Sequence, residues 1–187
     1  MRSTALVLVD LQNDFFPGGA LGVSRAHEII DPVNTMIAWA VTMNLQIYVS
    51  RDWHQPETPH FKKWPVHCVQ GTEGAKFHPE VHIPTEYPRL VIISKGLGNA
   101  DGYSAFESDM SPGVLRLLVC GLATDYCVLS TVRDACERGY EVVLLSDACR
   151  AVNQHPGDGD RALQEMRNRG AHVMSTGEFL RSLDEEE

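Results

Sequence analysis

The sequence predicts an α/β fold: a doubly wound, mainly parallel six-stranded sheet with helices on both faces, built as a single domain over residues 1–187. Three observations predict it. Short apolar runs alternate with helical periodicities along the chain. Those runs are continuous, as in strands buried on both faces of a parallel sheet. Several of them end on a charged residue, at the strand ends where open α/β sheets gather their ligand chemistry.

Ala5–Val9 is the first buried strand, and it ends on Asp10. An acid there is a candidate base, although capping nearby backbone is the commoner role. Leu11–Gly22 is a loop whose aromatics, Phe15 and Phe16, belong to the core or to a pocket wall. Ile30–Met43 is an amphipathic helix with Ile30, Val33, Ile37, Ala40 and Val41 on one face. Pro32 is tolerated because it falls in the first turn.

Leu45–Ser50 is the second strand, and it runs into RDWHQPETPHFKKWPVHCVQG. Asp52 and His54 are two apart, so in extended chain they face the same side. His60 and His67 follow. One carboxylate and up to three imidazoles form a ligand set for zinc, iron(II) or manganese. A lone loop histidine carries no such meaning; Asp-x-His at a strand end with two more histidines close behind does. Trp64 beside them either stacks on a flat substrate or plugs the loop against the core.

Gly71–Pro88 is irregular. Leu90–Ser94 is the third strand, with Lys95 just past its end. Beside an acid and a thiol, that ammonium favours the anionic form of both. The loop Gly96–Phe106 follows, with Tyr103 near the strand ends. The link from Glu107 to Val114 is short for a parallel crossover, which normally takes a dozen or more residues.

Leu115–Cys120 is the fourth strand. After the turn Gly121–Asp125, the residues Val128, Thr131, Val132, Ala135 and Cys136 share one helical face, with Thr124 or Asp125 as the cap. Cys127 therefore stands at a strand-to-helix elbow. The macrodipole there favours a thiolate, and free N–H groups point where an oxyanion would sit. Most single cysteines are inert core; this one keeps company with Asp10, Asp52 and Lys95 along one sheet edge. Glu141–Ser146 is a fifth strand ending at Asp147. A helix from Gly157 or Asp158 to Asn168, a strand His172–Ser175 and a helix Gly177–Leu183 complete the alternation.

Of the 187 residues 43% are hydrophobic and 22% charged, enough for one domain with a real core. A net charge of -9 argues against nucleic-acid and acidic-membrane partners. No apolar run reaches membrane-spanning length. The first apolar run lacks a cleavage-like site and reads as a strand, not a signal peptide. Five irregularly spaced cysteines form no disulfide framework. The expected setting is the cytoplasm and the expected partner a small molecule; a homo-oligomer is left open.

The stretches VLVDLQNDFFPGGAL, RDWH, PHF, WPVHCVQGT, FHP, SKG, YSAF and VCGLATDYCV together resemble the nicotinamidase/pyrazinamidase branch of the isochorismatase-like cysteine hydrolases. That resemblance spans nearly the whole chain. It implies a cysteine amidase with Asp10, Lys95 and Cys127 as its triad and one divalent metal ion on Asp52, His54 and His67. His60 is a further ligand position. Phe15 and Trp64 would sandwich a pyridine ring, with Leu21, Tyr103 and Leu122 nearby. The peptide Leu122–Ala123 would be cis, and the Ala123 and Cys127 N–H groups would form the oxyanion hole.

The implied reaction is hydrolysis of nicotinamide, and also of pyrazinamide, through a thioester. Asp10 would take the thiol proton and return it to ammonia, with a water near the metal cleaving the thioester. Three other readings compete: a metal-free isochorismatase-like hydrolase of another small substrate, which leaves Asp52, His54 and His67 unexplained; a non-catalytic binding protein on the same fold, which needs no reactive thiol; and a structural zinc site with an inert core cysteine, which predicts metal-dependent stability and no hydrolysis.

Overall fold

The computed structural model describes residues 3–96, 102–106 and 110–184. One six-stranded sheet runs through it, every pairing parallel. Its strands are β1 (Thr4–Val9), β2 (Gln46–Asp52), β3 (Leu90–Lys95), β4 (Arg116–Leu122), β5 (Glu141–Arg150) and β6 (His172–Met174). Their spatial order is β3-β2-β1-β4-β5-β6. The chain winds outward from β1 in one direction and then from β4 in the other, so the switch point lies between β1 and β4.

Burial explains why the central runs are strands. All six residues of β1 are buried, and in β4 only Arg116 reaches solvent appreciably. Each fully buried Val or Leu there contributes roughly 1.5–3 kcal/mol by leaving water. Four helices cover the sheet: α1 (Ile30–Thr42), α2 (Leu129–Glu137), α3 (Asp158–Asn168) and α4 (Thr176–Asp184). Trp39 of α1 meets Phe179 of α4 edge-on at 5.3 Å. Arg133 of α2 makes a two-pronged ion pair with Glu165 of α3, both bonds 2.8 Å. The two helix pairs take opposite faces, as right-handed crossovers require.

Several boundaries differ from those the sequence predicts. β2 continues to Asp52, because β3 supplies a partner as far as Lys95. β5 runs on to Arg150 where a stop at Ser146 was expected. The register against β4 slips between Val119 and Gly121, so that Leu144 pairs with Val119 but Cys149 with Gly121. The extra β5 residues form a bulge, and Asp147 within it accepts the Thr176 N–H and hydroxyl, capping α4. Residues Thr124–Val128 form a π-turn ahead of α2, so the helix begins one turn later than its apolar periodicity indicates. The short link Glu107–Val114 and the loop Gly96–Phe106 lie partly outside the described residues; no helix stands between β3 and β4 among those described. The acidic tail beyond Asp184 also lies outside them.

Close approach of β1 and β4 fixes the backbone at the elbow. Gly121 has φ +125°, and a Cβ there would stand 2.1 Å from the Val9 carbonyl oxygen. The next peptide bond, Leu122–Ala123, is cis.

Candidate active site and metal centre

Sheet register builds the site. Val9 pairs with Gly121, which sets Asp10 beside the chain leading into the elbow. Asp52 pairs directly with Lys95. Four residues from four segments therefore meet at the carboxyl edge of the sheet. Asp10, with a left-handed φ of 49°, turns the chain off β1. Its N–H donates to the Ser50 carbonyl at 3.2 Å, and the Ser50 hydroxyl donates to its Oδ1 at 2.7 Å.

Lys95 is wholly buried, yet all three of its ammonium hydrogens find acceptors. Nζ lies 2.5 Å from Asp10 Oδ2, 3.1 Å from Asp52 Oδ1 and 2.9 Å from the Tyr103 carbonyl. Burial opposes its charge, but Asp10, Asp52 and Cys127 outweigh burial and hold its pKa well above the ordinary value. Burial also opposes the charge of Asp52, and there Lys95 with His54 and His67 wins, holding that carboxyl well below its usual range. Asp10 goes the other way: burial raises it and Lys95 only partly offsets the rise.

The Cys127 thiol is pushed well above its ordinary pKa by burial, with Lys95 opposing and the two aspartates adding to the rise. Desolvation therefore opposes the thiolate that the helix terminus favours. Asp10 is close enough to add to that rise, and it is the candidate to receive the thiol proton.

On the neighbouring wall, ring nitrogens of His54, His60 and His67 lie within 4.8 Å of one another. Asp52 Oδ2 faces His54 Nε2 at 3.5 Å and His67 Nε2 at 3.4 Å. His67 Nδ1 lies 2.7 Å from the Pro65 carbonyl and donates to it, leaving the Nε2 lone pair toward Asp52. Among the described residues, neither ring nitrogen of buried His54 has a hydrogen-bond partner. An orphaned buried imidazole is costly, and a cation between these side chains removes the cost. The donor set, three imidazoles and one carboxylate, fits a divalent metal. His60, half-buried on the loop after Thr58, joins the same cluster, its ring stacked on His54 at 4.6 Å.

A cavity of about 270 Å³ opens between the thiol and the imidazoles. Phe15, Leu21, Trp64, Tyr103 and Ala123 line it, together with Asp52, His60, His67 and Cys127. Trp64 donates its indole N–H to the Tyr103 hydroxyl at 2.9 Å and meets Tyr126 edge-on at 5.4 Å. Leu122 is not in the lining: it is fully buried within β4, where its side chain belongs to the core. Asp10 and Lys95 stand behind the thiol rather than on the cavity surface.

Sequence reasoning missed the residues that hold these groups still. Gln12, fully buried, accepts from the Asp52 N–H at 2.7 Å and donates to the Asp52 carbonyl at 2.8 Å. Asp14 accepts the Cys68 N–H at 2.7 Å and the Ala20 N–H at 3.2 Å, joining the loop after His67 to the loop bearing Leu21. Both lie within four residues of Asp10 in the loop after β1, the one signal the sequence carries for them. Tyr126, Val152 and Gln154 also line the cavity, and no pattern in the sequence marks them.

An isochorismatase domain matches residues 4–178. The chain belongs to the isochorismatase domain family. Within it, the Escherichia coli nicotinamidase is 36% identical over 211 aligned positions, covering 96% of this chain and 98% of that one. The zinc complex of Pyrococcus horikoshii pyrazinamidase superposes with a TM-score of 0.84 at 40% identity, over 92% of this chain and 99% of the other. The L. infantum PnC1 structure in complex with nicotinate superposes at 0.79 with 32% identity, over 94% of each chain. Among the described residues of this isochorismatase-family chain, no helix is long and apolar enough to cross a membrane.

Proposed function

We propose that this chain is a cysteine amidase that hydrolyses nicotinamide to nicotinate and ammonia, with pyrazinamide as a second substrate, in the cytoplasm. One observation carries the reading: the Cys127 thiol lines a cavity sized for a small ring, backed by Asp10 and Lys95 and flanked by a carboxylate–imidazole cluster. Similarity to nicotinamidases and to a nicotinate complex supports the choice of substrate.

Asp10 accepts the thiol proton as the sulfur attacks the carboxamide carbon, and Lys95 balances the charge on both. The C–N bond breaks as Asp10 returns that proton to the departing ammonia, leaving an acyl thioester on Cys127. Water, deprotonated by Asp10, then splits the thioester and restores the thiol. The Ala123 and Cys127 N–H groups are placed at the turn to hold the oxyanion, a contribution typically worth about 3 kcal/mol per donor. Phe15 and Trp64 bracket the ring. A divalent ion on Asp52, His54, His60 and His67 would supply a Lewis acid for a ring nitrogen or a water.

Ammonia release from nicotinamide tests this directly. Cys127→Ala should abolish turnover with metal content and thermal unfolding unchanged; wild-type turnover in that variant removes the nucleophile. Asp52→Ala should lose the metal, and an unchanged metal content places the ion elsewhere.

A further inference from the structure

Asp125 stands two residues before Cys127 and takes no part in the chemistry above. The sequence offers it as a helix cap, but the structure gives it no capping bond. Its carboxylate instead accepts two consecutive amides of a distant loop, Oδ1 from the Val152 N–H and Oδ2 from the Asn153 N–H, each at 2.9 Å. Asn153, with φ +53°, turns the chain at that point, and its side-chain oxygen accepts the Gly159 N–H of α3 at 2.8 Å.

That loop presents Val152 and Gln154 to the cavity that Cys127 also lines. Val152 is 39% exposed, an apolar side chain left open where a ring can cover it. Gln154 Oε1 accepts the Tyr126 hydroxyl at 2.9 Å, tying the loop to the aromatic wall next to Trp64. The turn that carries the sulfur thus grips another wall of its own pocket.

We propose that Asp125 is a positioning residue that fixes the Val152–Gln154 wall at ring-binding distance, and so governs substrate affinity rather than the bond-breaking step. This rests on the amidase reading. Two parallel N–H donors need two acceptor oxygens. Asp125→Asn keeps the shape but turns one acceptor into an NH₂ that faces a donor. A charge-assisted bond lost in this way corresponds to about a tenfold effect.

The experiment combines steady-state ammonia release, carboxymethylation of Cys127 by iodoacetate and amide hydrogen exchange, on the metal-loaded full chain. Asp125→Asn is expected to raise KM for nicotinamide about tenfold, with kcat changed by less than about threefold. Carboxymethylation should keep its wild-type rate, because that reagent needs no wall, and the Val152 and Asn153 amides should exchange faster. Val152→Ala, which leaves the anchor intact, should raise KM severalfold and serves if the Asp125 variant does not fold.

Unchanged exchange at Val152 and Asn153 overturns the anchor. Faster exchange with an unchanged KM, or an unchanged KM in Val152→Ala, overturns the link to substrate. Parallel falls in kcat and carboxymethylation rate show that Asp125 serves the elbow instead, and also overturn it. A wild-type chain without amidase activity sinks the reaction itself while the exchange result still stands.

Discussion

Replacing Lys95 by methionine tests the buried charge cluster most severely. Methionine keeps the length of the chain and removes the ammonium. Two carboxylates, Asp10 at 2.5 Å and Asp52 at 3.1 Å from Nζ, then face each other in the interior without their shared cation. The Tyr103 carbonyl also loses its donor. Breaking a buried ion pair by removing one partner costs about 3–5 kcal/mol. Against a typical domain stability of about 5–15 kcal/mol, that is a large fraction.

Urea unfolding at neutral pH, with a chelator in every sample so that no adventitious cation replaces the ammonium, measures the loss. Adding Asp10→Asn to Lys95→Met removes one of the stranded charges and should recover about 1–3 kcal/mol of it. Arg25→Met provides the contrast: its pair with Glu28 is equally short at 2.6 Å but open to water, and its loss should barely register. A Lys95→Met protein within about 1 kcal/mol of wild type, or a double variant no more stable than the single one, would refute the reasoning.

Three further outcomes follow from particular geometries. Gly96→Ala should weaken metal binding about 10–100-fold with the fold retained, because its Cβ would lie 2.7 Å from His54 Nδ1 at φ +76°; metal titration followed by thermal shift reads it. Gly121→Ala should fail to give a folded soluble protein, since its Cβ would drive into the Val9 backbone; a native circular dichroism spectrum in that variant would contradict the register. Glu165, held down to about 2 chiefly by Arg133 and further by Arg169, contributes stability that is full above the unfolded carboxyl pKa and fades as pH falls toward 2. Being a third exposed, the pair is screened, so Glu165→Gln should cost at most about 1 kcal/mol near neutrality, with the gap closing on acidification.

Much of this site was legible because topology, not local detail, brings it together. Once the apolar runs are strands of a doubly wound sheet, Asp10, Asp52, Lys95 and the Cys127 elbow must share its carboxyl edge. Aspartate-x-histidine at a strand end likewise declares its own geometry. What stayed hidden falls into two kinds. The β5 bulge and the π-turn depend on how neighbouring strands and helices dock, and a one-dimensional apolar pattern carries no trace of that. Leu122 was misplaced because the sequence alone does not say which side of the last β4 residue faces the core, where it is fully buried. Apart from Asp14's bond to Ala20, the pins Gln12, Asp14 and Asp125 act on backbone 27 to 63 residues away, through hydrogen bonds whose partners have no sequence signature.

The cluster's energetics argue for its use. A buried ion pair is weak evidence for stability, since apolar residues of similar volume usually serve the fold as well or better. Here three charged groups, Asp10, Asp52 and Lys95, cluster at the carboxyl ends of β1, β2 and β3, beside a strand, β1, whose six residues are all buried. Structural economy alone would fill that place with aliphatic side chains. The arrangement instead keeps Asp10 above its usual pKa and close to a thiol that burial also holds protonated. A carboxylate whose proton affinity is raised is a stronger base toward the thiol it faces, as general-base catalysis of acyl transfer requires. The same burial that weakens the thiol as a resting anion also strengthens Asp10 as a base, and Lys95 is the fixed charge that favours the anion on either side of the transfer.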